Sequence, residues 1–338
     1  MKRMTRFVRP STAAALAALL VLPAAALSAR EARGARCESP GSAAARLQAR
    51  PAPPAPDVDA AQLMRDVEVL AADDMQGRRV GTPGHARARA YVLSRFEAIG
   101  LKPLTDTYEH AFTFTGRGSP AAQEGVNLLG LIRGARQPAR VIVITAHYDH
   151  IGVRNGEVFN GADDNATGVA ALLAVAAHFI RHPAETSLVI AALDAEESGL
   201  RGARAFLASG VVAKDAIAMN VNLDMLGRDA QNVLYAAGTH HYPDLKPLLE
   251  GAAQPPVDLR LGHDVPGTTA EDWTSASDHA PFHQAGIPFI YFGVEDFEHH
   301  HKASDEAATI QREFFAGVVR TIIVAVERLA GHAAGATR

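Results

Sequence analysis

The chain has 338 residues, 48% hydrophobic and 21% charged, enough for one large core or two small ones and ordinary for a globular protein. A formal net charge of -4 and an isoelectric point near 6.4 exclude a basic field for nucleic acid, which leaves small molecules or peptides as the expected partners. Cys37 is the only cysteine, so a disulfide framework within the chain is excluded.

Lys2, Arg3, Arg6 and Arg9 precede an apolar run from Ala13 to Leu27 that closes on Leu27-Ser28-Ala29, the pattern of a secretory signal peptide over 1–29. Pro23 interrupts the run, and about 15 apolar residues fall short of the roughly 20 that span a bilayer, so no stable membrane anchor is expected. The pattern predicts export, to the periplasm or beyond the cell. Residues 30–56 are rich in Ala, Arg, Pro and Ser without apolar periodicity and read as a disordered linker.

From Asp57 onward the pattern is that of a folded domain, expected over 57–330 with a flexible tail over 331–338. Leu63, Val67 and Leu70 recur at helical spacing, and a second helix is expected over 83–99. Between them, residues 77–84 (Gly-Arg-Arg-Val-Gly-Thr-Pro-Gly) read as a loop. Strands are expected at 126–132, 141–145, 187–193 and 217–223, interleaved with helices at 166–178 and about 199–208. Further strands are expected at 233–236 and 287–292, and a long closing helix at 309–329 carries Phe314, Val318, Ile322 and Val326 on one face. This alternation argues for an α/β fold, a sheet covered by helices on both faces.

In open α/β sheets binding sites collect at the carboxyl ends of the strands, and the acidic and histidine residues of this chain fall there. His147 and Asp149 follow strand 141–145, Glu196 and Glu197 follow 187–193, and Asp224 ends 217–223. Asp164 precedes the helix at 166–178, whose positive end favours a carboxylate. Taken singly, a His-x-Asp is an ordinary surface pair and an Asp after a strand an ordinary cap. Their recurrence after successive strands, with His301 downstream, is what two closely spaced metal ions and a general base would need. The residues therefore predict a metal-dependent hydrolase.

Six motifs occur in order: Ala146-His147-Tyr148-Asp149, Gly161-Ala162-Asp163-Asp164-Asn165-Ala166-Thr167-Gly168, Ala195-Glu196-Glu197-Ser198-Gly199, Asn222-Leu223-Asp224-Met225, Ser277-Asp278-His279 and His301-Lys302-Ala303-Ser304-Asp305. In these the chain resembles the co-catalytic zinc aminopeptidases, whose relatives include glutamate carboxypeptidase, glutaminyl cyclase and the transferrin receptor. The loop at 77–84 resembles exported bacterial members. The resemblance implies a single-domain, three-layer α/β/α fold with a mixed, mostly parallel central sheet and a peptide substrate. It also implies two zinc ions, with manganese or cobalt suited to the same donors. Asp164 would bridge the ions, His147 and Asp224 would complete one and Glu197 and His301 the other. Asp149 would accept the second ring N–H of His147, and Glu196 would be the uncoordinated general base. A cis peptide between Asp164 and Asn165 is implied as well.

Within the run His299-His300-His301, only His301 has an aspartate, Asp305, at the family's spacing; His300 stands where some relatives carry a tyrosine donor. Asp278 and His279 are expected to brace the pocket. His150, His178, His182, His240, His241, His263, His283 and His332 are read as surface or structural residues. Trp273, Phe282, Tyr291 and Phe292 are candidates for either pocket or core. Aminopeptidase activity is the leading expectation. Carboxypeptidase or dipeptidase activity, glutaminyl cyclisation and a non-catalytic, receptor-like role are the alternatives, and residue preference and oligomeric state stay open.

Overall fold

The computed structural model describes residues 55–116, 121–268 and 271–335. The expected signal peptide, nearly all of the expected linker and the last three residues lie outside the described residues. Strands run in chain order as β1 (Lys102–Pro103), β2 (Glu109–Thr115), β3 (Ala122–Ile132), β4 (Gln137–His147), β5 (Gly152–Arg154), β6 (Glu157–Phe159), β7 (Thr186–Leu193), β8 (Ile217–Leu223), β9 (Val233–Ala237), β10 (Asp258–Leu261) and β11 (Phe289–Gly293). Nine of them form one sheet in the order β1-β3-β7-β4-β8-β11-β9-β10, with β2 also on β3. β5 and β6 form a separate hairpin.

The sheet is mixed. Its centre, β7-β4-β8-β11, is parallel throughout, while β3 joins β7 and β9 joins β11 antiparallel. The central strands are near-continuous apolar runs because both faces are covered. On β4, Ile142 and Ile144 enter one core with Leu188 and Ile190 of β7, whereas Val141 and Val143 enter the opposite core with Val189 and Ala191. Against the first face pack α1 (Ala60–Leu70), α2 (Pro83–Ile99), α3 (Gly168–Arg181) and, last in the chain, Arg312–Gly335. Arg201–Ser209 and His279–Gln284 cover the second. Among the described residues no helix is long and apolar enough to cross a membrane.

Local signals set the helix ends. Asp59 accepts the N–H of Gln62 at 2.9 Å to start α1. Thr82 and Pro83 open α2, and Gly100 closes it in the left-handed conformation at φ 82°. Phe314, Val318, Ile322 and Val326 are buried as expected, but the closing helix continues to Gly335, through residues assigned from sequence to the tail. The helix expected from 166 begins at Gly168, because a π-turn over Ala162–Thr167 precedes it, with Asp164 and Asn165 off helical φ/ψ. The Asp164–Asn165 peptide is cis, as the resemblance implied.

Candidate active site

The parallel strands deliver the site. His147 is the last residue of β4, Asp224 follows β8, and Glu196 and Glu197 sit in the loop after β7. Two further loops close on them, one carrying Asp164 and one carrying His300 and His301. His147 Nε2 lies 3.3 Å from Asp164 Oδ1 and 3.4 Å from Asp224 Oδ1. On the other side, His301 Nε2 lies 3.1 Å from Asp164 Oδ2 and 3.3 Å from Glu197 Oε2. Each oxygen of Asp164 thus faces a separate His and carboxylate set.

The tautomer of His147 decides what those contacts mean. Its Nδ1 lies 3.1 Å from the backbone carbonyl of Asp149, and since a carbonyl only accepts, the ring proton is at Nδ1. Nε2 points between two carboxylates: burial would lower the pKa of the ring, but Asp224, Asp149 and Asp164 raise it well above its ordinary value, and a metal ion bound there would take the place of the Nε2 proton. Asp224 Oδ1 and Glu197 Oε1 are buried without a hydrogen-bond partner, as unmet metal donors would be. Asp224 is aimed by its other oxygen, which accepts from Ser277 Oγ at 2.6 Å. The donor set of nitrogen and carboxylate oxygen suits zinc.

The electrostatics follow the same division. Burial would raise the Asp164 pKa, but His150, His147 and His301 hold it well below the usual carboxylate range. Burial and Asp164 push Glu197 up, and His150 and His301 outweigh them to hold it down to about 2. Glu196 goes the other way: burial, with Asp278, Asp224 and Glu197 adding to it, raises its pKa well above the usual value despite His147. Asp164 and Glu197 are held ionised, while Glu196 beside them is a group ready to hold a proton.

These groups open onto a cavity of about 220 Å³ whose walls include Met225, Trp273, Tyr291, Val294 and Phe297. Over the same ground, residues 127–326 match Peptidase family M28. This chain belongs to peptidase family M28. Leupeptin-inactivating enzyme 1 from Streptomyces exfoliatus is 30% identical over 255 residues, covering 74% of this chain and 52% of that one. The chain spans about half, or less, of the length of the curated relatives it matches. Two solved structures share the fold. The Fimbriiglobus ruber glutaminyl cyclase has a TM-score of 0.65 at 20% identity, covering 82% of this chain and 99% of that one. A zinc aminopeptidase from Bacillus subtilis has a TM-score of 0.64 at 16% identity, covering 80% and 95%.

In this M28 chain the candidate site differs from the sequence expectations in several places. Asp149 is buried, but its carboxylate oxygen is 3.7 Å from His147 Nδ1, farther than its own backbone carbonyl. That carboxylate instead accepts the N–H of Glu196 at 3.0 Å. His150, read as surface or structural, is buried in the site with Nδ1 2.8 Å from Glu197 Oε1. His300 is half-exposed at the cavity wall, 3.7 Å from Asp164 Oδ2. Trp273 and Tyr291 line the cavity, while Phe282 and Phe292 belong to the cores. His279 braces the wall as expected, donating to the Trp273 carbonyl at 2.8 Å and stacking on Phe289 and Tyr291. Beside it Asp278 is fully buried without a hydrogen bond, and burial pushes its carboxyl up to about 8.

Two arginines for which the sequence suggested no role support the loops of the candidate site. Arg78 is fully buried at the start of the glycine-rich loop, and its guanidinium donates to four carbonyls: Tyr148 at 3.0 Å, Leu70 and Asn160 at 2.6 Å, and Gly161 at 2.8 Å. Burial lowers its pKa to about 10, so it stays charged at neutral pH beneath the acidic cluster. Gly77 makes this entry possible, since a Cβ there would lie 2.3 Å from the Phe159 carbonyl. Arg228 pairs with Asp296 at 2.8 Å and with Asp305. Asp305 in turn accepts the backbone N–H groups of Asp163 at 2.9 Å and Asp164 at 3.0 Å.

Proposed function

We propose that this chain is a zinc-dependent exopeptidase, an aminopeptidase that hydrolyses the N-terminal bond of peptides and acts outside the cytoplasm. The observation that carries this reading is Asp164, whose two oxygens face two separate donor pairs, His147 with Asp224 and His301 with Glu197. Those five residues would hold two zinc ions. Bound there, such ions acidify water, polarise the scissile carbonyl and stabilise negative charge on its oxygen.

The chain's own groups supply the rest. Glu196 lines the cavity beside the ligands, and the environment that raises its pKa suits a carboxylate that must hold a proton during turnover. Its carboxylate takes a proton from the attacking water and returns it to the leaving amine nitrogen as the C–N bond breaks. Asp149 fixes the Glu196 peptide through its N–H, and the Asp149 carbonyl holds His147 in the ligand tautomer. Trp273, Tyr291 and Met225 give the substrate an apolar wall. The export pattern at 1–29 supports a site of action beyond the cytoplasm.

A panel of aminoacyl anilides, their N-acetylated counterparts and an N-terminal glutaminyl peptide tests the reading, each with zinc and with chelator. The expected outcome is zinc-dependent release from free-amine substrates alone. Equal cleavage of N-blocked substrates, or cyclisation of the glutaminyl peptide without hydrolysis, would overturn it.

A further inference from the structure

His150 is fully buried, yet neither ring nitrogen has a hydrogen-bond partner. Its Nδ1 is 2.8 Å from Glu197 Oε1, and that oxygen is likewise buried and unpartnered. The two atoms are in contact without the alignment of a hydrogen bond. Such an approach, side by side rather than along the N–H axis, is how two ligands of one cation meet. Asp164 Oδ2 is 3.7 Å from the same nitrogen, so His150, Glu197 and Asp164 form a group able to hold one ion. The backbone aims the ring there: Gly161, at φ 57°, packs so closely that a Cβ would lie 2.5 Å from His150 Cδ2. The ring of His301 lies 5.9 Å away across the same carboxylates.

We propose that His150 is a ligand of the zinc ion on the Glu197 side. The inference rests on the two-ion reading above. It makes the centre unequal, with His150, Asp164, Glu197 and His301 on one side and His147, Asp164 and Asp224 on the other. Four protein donors characterise sites that retain their ion, and three leave a position open. On that count the His147 side is the open site, and the Glu197 side is the tightly held one. His150 and Glu197 are absent from the cavity lining, whereas His147, Asp164, Asp224 and His301 belong to it.

The test is histidine ¹⁵N NMR of the unmutated, exported form of the chain, titrated with zinc alone, alongside metal-binding measurements on His150→Ala and His150→Asn. On binding, the Nδ1 resonance of His150 should move to the metal-bound position together with the Nε2 resonances of His147 and His301. His150→Ala should weaken one of two zinc sites by more than about 100-fold, beyond the roughly 10- to 100-fold of an outer-shell change. His150→Asn, which keeps a donor near the Nδ1 position, should not rescue it. If His147 and His301 shift while His150 does not, or if His150→Asn binds zinc like the unmutated chain, the inference is overturned and the two-ion reading stands. If no histidine shifts, both fall together.

Discussion

The carboxylate of Asp149 holds the backbone N–H of Glu196 at 3.0 Å, so two loops that leave adjacent strands are tied at the proposed base. Asp149→Ala removes that acceptor and leaves the carbonyl that orients His147. The expected result is a fall in kcat of roughly 10- to 100-fold with zinc content retained, and near-normal activity in Asp149→Asn, which keeps an acceptor oxygen. Steady-state kinetics with metal counting decides it; zinc lost in step with activity would assign Asp149 to the metal instead.

Glu196→Gln preserves the shape of the proposed base and removes its proton chemistry. Hydrolysis should drop by roughly 10²- to 10⁴-fold, with both zinc affinities unchanged. A variant that turns over normally would show that another group moves the proton.

Asp305 reaches the site through the backbone, by accepting from the N–H groups of Asp163 and Asp164. An asparagine offers one acceptor oxygen in place of two and no charge for Arg228. Asp305→Asn should therefore weaken zinc binding roughly 10- to 100-fold, measured by competition with a chelating dye. Unchanged affinity would mean that the Asp164 loop is held by other contacts.

Arg78→Met leaves the carbonyls of Leu70, Tyr148, Asn160 and Gly161 without their shared donor. A buried polar group left unpaired costs about 1–3 kcal/mol, so the zinc-free protein should lose at least about 3 kcal/mol in urea unfolding. Arg78→Lys should recover only part of the loss, because an ammonium lacks the planar fork. A midpoint unmoved in both variants would contradict the clamp.

Much of this was legible in the chain. The central strands could be read because each is buried on both faces and so largely apolar, and His147, Glu196, Glu197 and Asp224 because they stand at or just after the ends of those strands. β2 escaped because it lies at an edge, where only Phe112 and Phe114 alternate with polar residues. β10 is four residues of alternating exposure. The place of His150 in the site was not legible, since it follows from a contact with Gly161, eleven residues on, which no local pattern encodes. The role of Asp149 was half legible: its place beside His147 is in the sequence, but which of its oxygens faces which partner depends on how the β4 and β7 loops meet. Arg78 reads in the sequence only as part of the loop at 77–84, because a buried arginine paired only with carbonyls leaves no acidic partner to notice.

Arg78 also has a bearing on what counts as the minimal enzyme. Every proposed ligand lies within residues 127–326, the stretch that matches the family, but the guanidinium joining the Tyr148 and Gly161 loops comes from outside it. A fragment cut to the matched region would carry the full chemical inventory and lack the fastener between its two ligand loops. During synthesis the same dependence runs forward: residue 78 emerges early and has no partners at 148, 160 and 161 until about as much chain again has followed.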